Sequence, residues 1–204
     1  MVADASAEAR PASRGFVLRD RRAVLLLVST ALFHLANAPV MPMVALDIKR
    51  LHGTDAQVAA VVLIAQTVMV PVAYLAGRLG DRFGRKPVTL VGFAALPVRI
   101  FLYSLTDKPA VLLALQSLDG IGAGLYGVLV PSMCADITEG KGRFNTLLGM
   151  VATAQALGGV LGPLGSGLVL QHLGFKAAFD TYALVALLGA VLFFWKMPET
   201  RCPR

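Results

Sequence analysis

Charge is what this 204-residue sequence has least of. Asp, Glu, Lys and Arg make up 15% of it against 56% hydrophobic residues. With a mean hydropathy of +0.70, that leaves too little polar surface to cover a water-soluble fold. Intrinsic disorder, which needs the opposite composition, is excluded by the same numbers. Two cysteines, Cys134 and Cys202, cannot build a disulfide framework, and His34, His52 and His172 are too scattered for a metal site. No metal or cofactor is therefore expected. Acids are outnumbered by bases, 12 to 19, for a net charge of +7. In a soluble chain this would suggest nucleic acid as a partner. Here the basic residues fall between long apolar runs, which points to a lipid bilayer instead.

Residues 23–46 contain no charged side chain, more than the ~20 residues needed to cross a ~30 Å hydrocarbon layer as a helix. Further apolar runs occupy 57–76, 87–105, 110–134, 144–170 and 177–195, so the sequence predicts six transmembrane helices joined by short polar turns. Runs this long satisfy their own backbone hydrogen bonds as helices, whereas barrel strands are shorter and alternate. Arg19 to Arg22 followed by an apolar stretch and Ala36-Asn37-Ala38 also has the layout of a secretory signal peptide. Against that reading, the apolar run continues past the supposed cleavage point, where Pro39 follows. Residues 1–20 read as a disordered cytoplasmic leader, 21–197 as one six-helix domain and 198–204 as the start of a cytoplasmic tail.

Lys and Arg are divided unequally between the two sides. One side takes Arg10, Arg14, Arg19, Arg21, Arg22, Arg78, Arg82, Arg85, Lys86, Lys141, Arg143, Lys196, Arg201 and Arg204. The other takes Lys49, Arg50, Lys108 and Lys176. The positive-inside rule then places both termini in the cytoplasm, with the chain in the plasma (inner) membrane. Arg99 alone lies within a span. Ninety residues separate Gly77, Gly84 and Lys86 from Gly167, Gly174 and Lys176, with Phe83 falling on Leu173. Spans one to three thus repeat as four to six, and an odd number of spans inverts the second copy across the bilayer.

The turn between spans two and three reads Gly77-Arg78-Leu79-Gly80-Asp81-Arg82-Phe83-Gly84-Arg85-Lys86-Pro87. Its glycines allow a tight reversal, Pro87 suits a first helical turn, and Asp81 can accept hydrogen bonds from a helix N-terminus or an arginine. A merely basic loop would account for the charge but not for Asp81 or the glycine spacing. The segment resembles the signature loop of the major facilitator superfamily, whose conformational switch would then involve Gly77, Asp81, Arg82, Gly84, Arg85 and Lys86. Span five, with Gly158, Gly162, Pro163 and Gly167, is similar to the family's antiporter-associated motif, although Ser166 replaces a glycine. Ordinary helix packing at Gly158 and Gly162 accounts for the glycines equally well. Met197-Pro198-Glu199-Thr200 is similar to the segment that often closes the family's sixth helix.

The resemblance implies an all-α integral membrane fold: six transmembrane helices built as two inverted three-helix repeats, one half of the superfamily's usual twelve-helix fold. It also implies a second six-helix half as partner, either a copy of this chain or a separate one. Transport in the family proceeds by rocking one half against the other around a central cavity. Gln116 departs from the pattern, since proton-coupled members often carry arginine there, and this weakens the proton-coupling expectation.

Asp119, ten residues into span four, and Arg99, seven residues before the outer end of span three, fall at similar depth. An intramembrane acid costs about 2.5–3.5 kcal/mol on insertion scales, so it marks either a function or a structural ion pair. His34, Asn37 and Met41 share one face of span one; Gln116, Asp119 and Tyr126 form a stripe on span four; Gln66 marks span two. The cavity candidates are therefore His34, Asn37, Gln66, Arg99, Gln116, Asp119 and Tyr126, although each could equally be an interhelical hydrogen-bond partner. Gly122-Ala123-Gly124-Leu125-Tyr126-Gly127 has the form of a dinucleotide fingerprint but lacks its βαβ context, and reads as a packing face. Ser166 lacks the glycine two residues earlier that a serine intramembrane protease would need, and His172 lies near the membrane edge, so no enzyme is expected. The expected function is proton-coupled efflux of a small amphipathic organic molecule. Solute uptake, or a non-transporting six-helix scaffold, is the alternative.

Overall fold

A computed structural model describes residues 18–201. Most of the leader, with Arg10 and Arg14, and the tail residues Cys202 and Arg204 lie outside the described residues. All regular structure within them is helical: α1 (Arg21–Asn37), α2 (Val40–Arg50), α3 (Asp55–Phe83), α4 (Arg85–Ser104), α5 (Pro109–Ile137) and α6 (Phe144–Lys196). α1 and α2 act as one membrane-length segment. It is broken at Pro39, which has no N–H to continue the ladder. The break separates Met41 from His34 and Asn37. Met41, in α2, packs against the core.

α6 has 53 residues but crosses twice. Gly174 has φ 81° and ψ 179°, a region open essentially to glycine alone. The Tyr182 hydroxyl donates to the Gly162 carbonyl at 2.7 Å, although twenty residues of straight helix would hold the two ~30 Å apart. Residues 144–173 and 175–196 are therefore antiparallel passes, which brings the apolar crossings to six. Gly84 plays the corresponding part between α3 and α4, with φ 97° and ψ 154°. The expected turn 77–87 shrinks to this one residue, since Gly77 through Phe83 belong to α3 and Arg85 through Pro87 to α4. The ninety-residue repeat thus superposes the two joints.

Those joints lie at opposite ends of the bundle. Lys141 reaches Asp20 at 3.2 Å and Glu199 binds the start of α4, so the α1 start, the Gly84 joint, the α5–α6 connection and the α6 exit share one end. Arg50 contacts Asp107 at 3.0 Å and lies 5.1 Å over the Phe175 ring, which collects the α2 end, the α4–α5 turn and Gly174 at the other. The basic residues are segregated accordingly, most of them at the Glu199 end.

α1 packs mainly on α6 and α3 on α5, while α4 bridges α5 and α6. Glycines set how closely these pairs approach. A Cβ on Gly120 would collide with the Ala65 carbonyl and come within 2.7 Å of Val68 Cβ, and one on Gly124 would lie 2.9 Å from the Met69 carbonyl. Gly158 and Gly162 meet the α1 backbone at Ala31, His34 and Leu35 in the same way. Both stretches are thus close-packing faces, as their sequence suggested. Phe33, Phe93 and Phe193 form the aromatic centre of the core, with Phe93 and Phe193 stacked at 4.6 Å. Large apolar side chains such as Leu63, Val70, Leu161, Leu164 and Leu188 stand exposed around the outside, as lipid contact requires.

Gly120→Ala should destabilise the bundle by about 1–3 kcal/mol, because its Cβ meets backbone that cannot yield. Gly127→Ala, with nothing within 4 Å, should be neutral or stabilising by up to about 1 kcal/mol. Thermal unfolding of the two variants in the same detergent checks the contrast.

Candidate functional site

Helix α1 ends at the Pro39 break with His34 and Asn37 in its last turn, facing α4 and α5 in the interior of the bundle. Arg99 Nη1 lies 2.6 Å from Asp119 Oδ1, and the two side chains are 3% and 15% exposed. Arg99 Nη2 donates to Asn37 Oδ1 at 2.6 Å, and Nη1 also faces Gln116 Oε1 at 3.5 Å. One guanidinium thus ties three helices together in mid-span. Such a partner and such acceptors lower the cost of burying a cation in this setting, and the Asn37 and Gln116 oxygens remain when Asp119 is neutral.

A cavity of about 250 Å³ opens beside the pair, lined by Phe33, His34, Asn37, Arg99, Asp119, Tyr126 and Gln155 among others. It has two unlike ends. Asn37, Arg99 and Asp119 make the ionic end. At the aromatic end, Phe33 stacks on Tyr126 at 5.1 Å, and His34 meets the same ring edge-on at 5.1 Å. Gln155 Nε2 donates to the Tyr126 hydroxyl at 2.8 Å.

Five of the seven cavity candidates therefore converge: His34, Asn37, Arg99, Asp119 and Tyr126. Gln116 lies behind the wall, fully buried, and touches the cavity only through Arg99. Gln66 is exposed on α3 and does not line this cavity, because the α5 glycines fix which side of α3 packs against α5. Gln155 escaped the sequence reading. It is a polar residue inside an apolar run and shares a helical face with Gly158 and Gly162, which is the signal that could have found it.

At the Glu199 end the switch-loop residues take separate places. Asp81 pairs with Arg85 at 3.0 Å, and Arg85 continues to Asp136 at 3.4 Å. The start of α4 is capped by Glu199, which accepts from the Arg85 and Lys86 backbone N–H groups at 2.9 and 3.1 Å. Of the two partners expected for Asp81, the arginine is realised, while the helix N-terminus belongs to Glu199. A Cβ on Gly84 would lie 2.5 Å from Glu199 Oε2, so this position needs glycine for space as well as for φ. Lys86 lies over the Phe194 ring and Arg82 over Phe83, while Gly77 has open space around it. In the antiporter-like stretch Pro163 is exposed, and Gly167, like Gly77, meets nothing within 4 Å.

Comparison with known proteins gives a consistent result. The sequence profile of the Major Facilitator Superfamily matches residues 26–202. An uncharacterized MFS-type transporter of Mycobacterium tuberculosis is 41% identical over 194 residues, covering 94% of this chain and 46% of that protein. A chloramphenicol resistance protein of Pseudomonas aeruginosa is 34% identical over 155 residues, covering 74% and 36%. A crystal structure of the peptide transporter POT in complex with sulfate superposes with a TM-score of 0.71 at 19% identity, over 84% of this chain and 37% of that one. The chain spans about half the length of the curated relatives it matches.

Burial works against the Glu199 carboxylate, but N–H groups of Arg201, Lys86, Arg85 and Thr200 outweigh it and hold its pKa below the ordinary 4.5. The capping contribution is therefore complete above that value and is lost as pH falls through the lower, folded one. Glu199→Gln should cost less than about 1 kcal/mol at neutral pH for so exposed a group. The difference from the parent should shrink as pH falls below 4.5 and vanish once it has passed the lower, folded value, which paired unfolding curves across pH would test.

Proposed function

Because the chain belongs to the Major Facilitator Superfamily, and is an integral membrane protein of a transporter family with no enzymatic chemistry, we propose that it forms half of a secondary transporter. In this reading it exports a small amphipathic organic molecule in exchange for protons, from a plasma membrane with the Glu199 end in the cytoplasm. The observation that carries the reading is the Arg99–Asp119 pair in the wall of a cavity that has an aromatic end. A displacement of α4 against α5 would part the guanidinium from the carboxylate and leave the Asp119 oxygens open to another partner. Substrate and proton can then exclude one another at Asp119, which is the coupling that an antiporter requires.

A cavity bounded on one side by α1, α4, α5 and α6 needs an opposing wall. We assign that wall to a second six-helix unit, a copy of this chain or a separate half, engaging the exposed Asp81 and its basic neighbours. Residues 21–197 act as one domain in this reading, and 198–204 begin the connection beyond it. The resistance protein among the relatives supports export as the direction.

In proteoliposomes of the chain with its second half, an imposed proton gradient should drive substrate against its own gradient. Asp119→Asn should insert and assemble normally yet lose proton-driven exchange at least tenfold. The combined Asp119→Asn, Arg99→Gln variant should stay folded and stay inactive. Recovered transport in that double variant would instead make the pair structural, and substrate accumulation in the direction of proton entry would make the protein an uptake system.

A further inference from the structure

A second hollow, of about 430 Å³, opens at the Gly174 end, lined by Asp47, Arg50, Tyr103, Ser104, Asp107 and Lys176 among others. Its rim is held by Arg50, which reaches Asp47 at 2.7 Å and Asp107 at 3.0 Å. Tyr103 belongs to this hollow and also lies against the central site. One helical turn along α4 from Arg99, its ring centre is 5.9 Å from the Arg99 guanidinium carbon. Arg99 in turn lines the central cavity beside Asp119. Tyr103 and Arg99 therefore stand in series between the hollow and the acid.

The polar atoms along this line are incompletely paired. Tyr103, Arg99 and Gln116 are 1%, 2% and 0% exposed. Among the described residues, Arg99 Nε and Gln116 Nε2 have no hydrogen-bond partner, and the Tyr103 hydroxyl, beside the Arg99 guanidinium, has none at full hydrogen-bonding distance. Buried polar groups are nearly always satisfied, by protein or by ordered water. Tyr103 and Gln116 both neighbour the Arg99 guanidinium, and a space lined by several such groups is where a water makes its usual three or so hydrogen bonds. Arg99 Nε and Gln116 Nε2 can only donate, so both call for an acceptor oxygen, while a hydroxyl both donates and accepts.

We propose that Tyr103, Arg99 and Gln116 hold a short file of water that delivers protons from the hollow at the Gly174 end to Asp119, apart from the path taken by substrate. The inference rests on Asp119 being the proton-carrying group. At each step an oxygen takes a proton from the hollow side and releases one toward Asp119, so one O–H bond forms as one breaks. The last water protonates an Asp119 oxygen, and the net change is one proton gained there. Arg99 stays charged and passes no proton. While paired it forms a neutral unit with Asp119, and its role is to orient the water. Asp119 shares its surroundings with Arg99 on α4, His34 on α1 and Tyr126 on its own helix, while α6 contributes only the neutral amide of Gln155.

The test follows the carboxyl infrared band of Asp119 in the full chain in nanodiscs after a jump in pH, with Asp119→Asn identifying the band. Tyr103→Phe keeps the ring and its packing on Phe179 and removes only the hydroxyl. It should slow protonation at least tenfold without moving the pH midpoint. Ser104→Cys, carrying a bulky thiol-directed label that fills the hollow, should slow it likewise and covers the case in which Tyr103→Phe does not fold. An unchanged rate in both, or a shifted midpoint with an unchanged rate, overturns the path. A wild-type chain without a titrating Asp119 band overturns both the path and the antiport reading. A normal band and normal slowing in a protein that exchanges nothing overturns the antiport reading and leaves the path standing.

Discussion

A guanidinium sits inside an apolar helix bundle at least cost where a carboxylate or other acceptors close around it. Arg99, on α4, obtains them from two other helices at once, Asn37 on α1 and Gln116 and Asp119 on α5. Each contribution depends on something one layer behind. Asn37 is available because α1 stops at the Pro39 break, and α1 is seated by Gly158 and Gly162 of α6 against its backbone. Helix α5 is held on its other side by α3, at the distance that Gly120 and Gly124 permit. The cavity beside Arg99 is the space left when these contacts are all made.

The two ends of the bundle are held by different means. At the Glu199 end a single carboxylate collects N–H groups from the start of α4 and from the exit of α6, and Asp136 receives both Arg85 and Thr200. At the Gly174 end Arg50 joins α2 to the α4–α5 turn and to the second pass of α6. Both arrangements link elements far apart in sequence through one side chain, and both lie where the charge can meet water.

Much of this was legible in the sequence because bilayer physics acts on one segment at a time. The length of the apolar runs gives the number of crossings, the ninety-residue repeat marks Gly84 and Gly174, and counting depth along spans three and four matches Arg99 with Asp119. What escaped depends on rotation and on partners distant in the chain. Gln66 and Gln155 look alike as single polar residues in apolar runs. One is exposed and the other reaches Tyr126, and the difference comes from how α3 and α6 are rolled against their neighbours. Glu199 resembles an ordinary tail residue until the chain folds back to bring it to a helix start more than a hundred positions earlier. Met41 follows Asn37 at helical spacing, but Pro39 ends the helix between them.

Gly84 and Gly174 each leave a single residue between two helices, and a connection that short has no slack. Each added residue would let helix ends part by up to ~3.5 Å, enough at Gly84 to carry α4 away from the carboxylate that caps it. Lengthening is therefore forbidden at these two points, whereas the segment from Thr138 to Arg143 can absorb it, since it already runs through positive-φ glycines at 140 and 142 in open surroundings. The same stiffness means that a tilt of α3 cannot be taken up at its joint and must pass into α4. Each of these two hairpins is thereby a lever, with its fulcrum at a glycine.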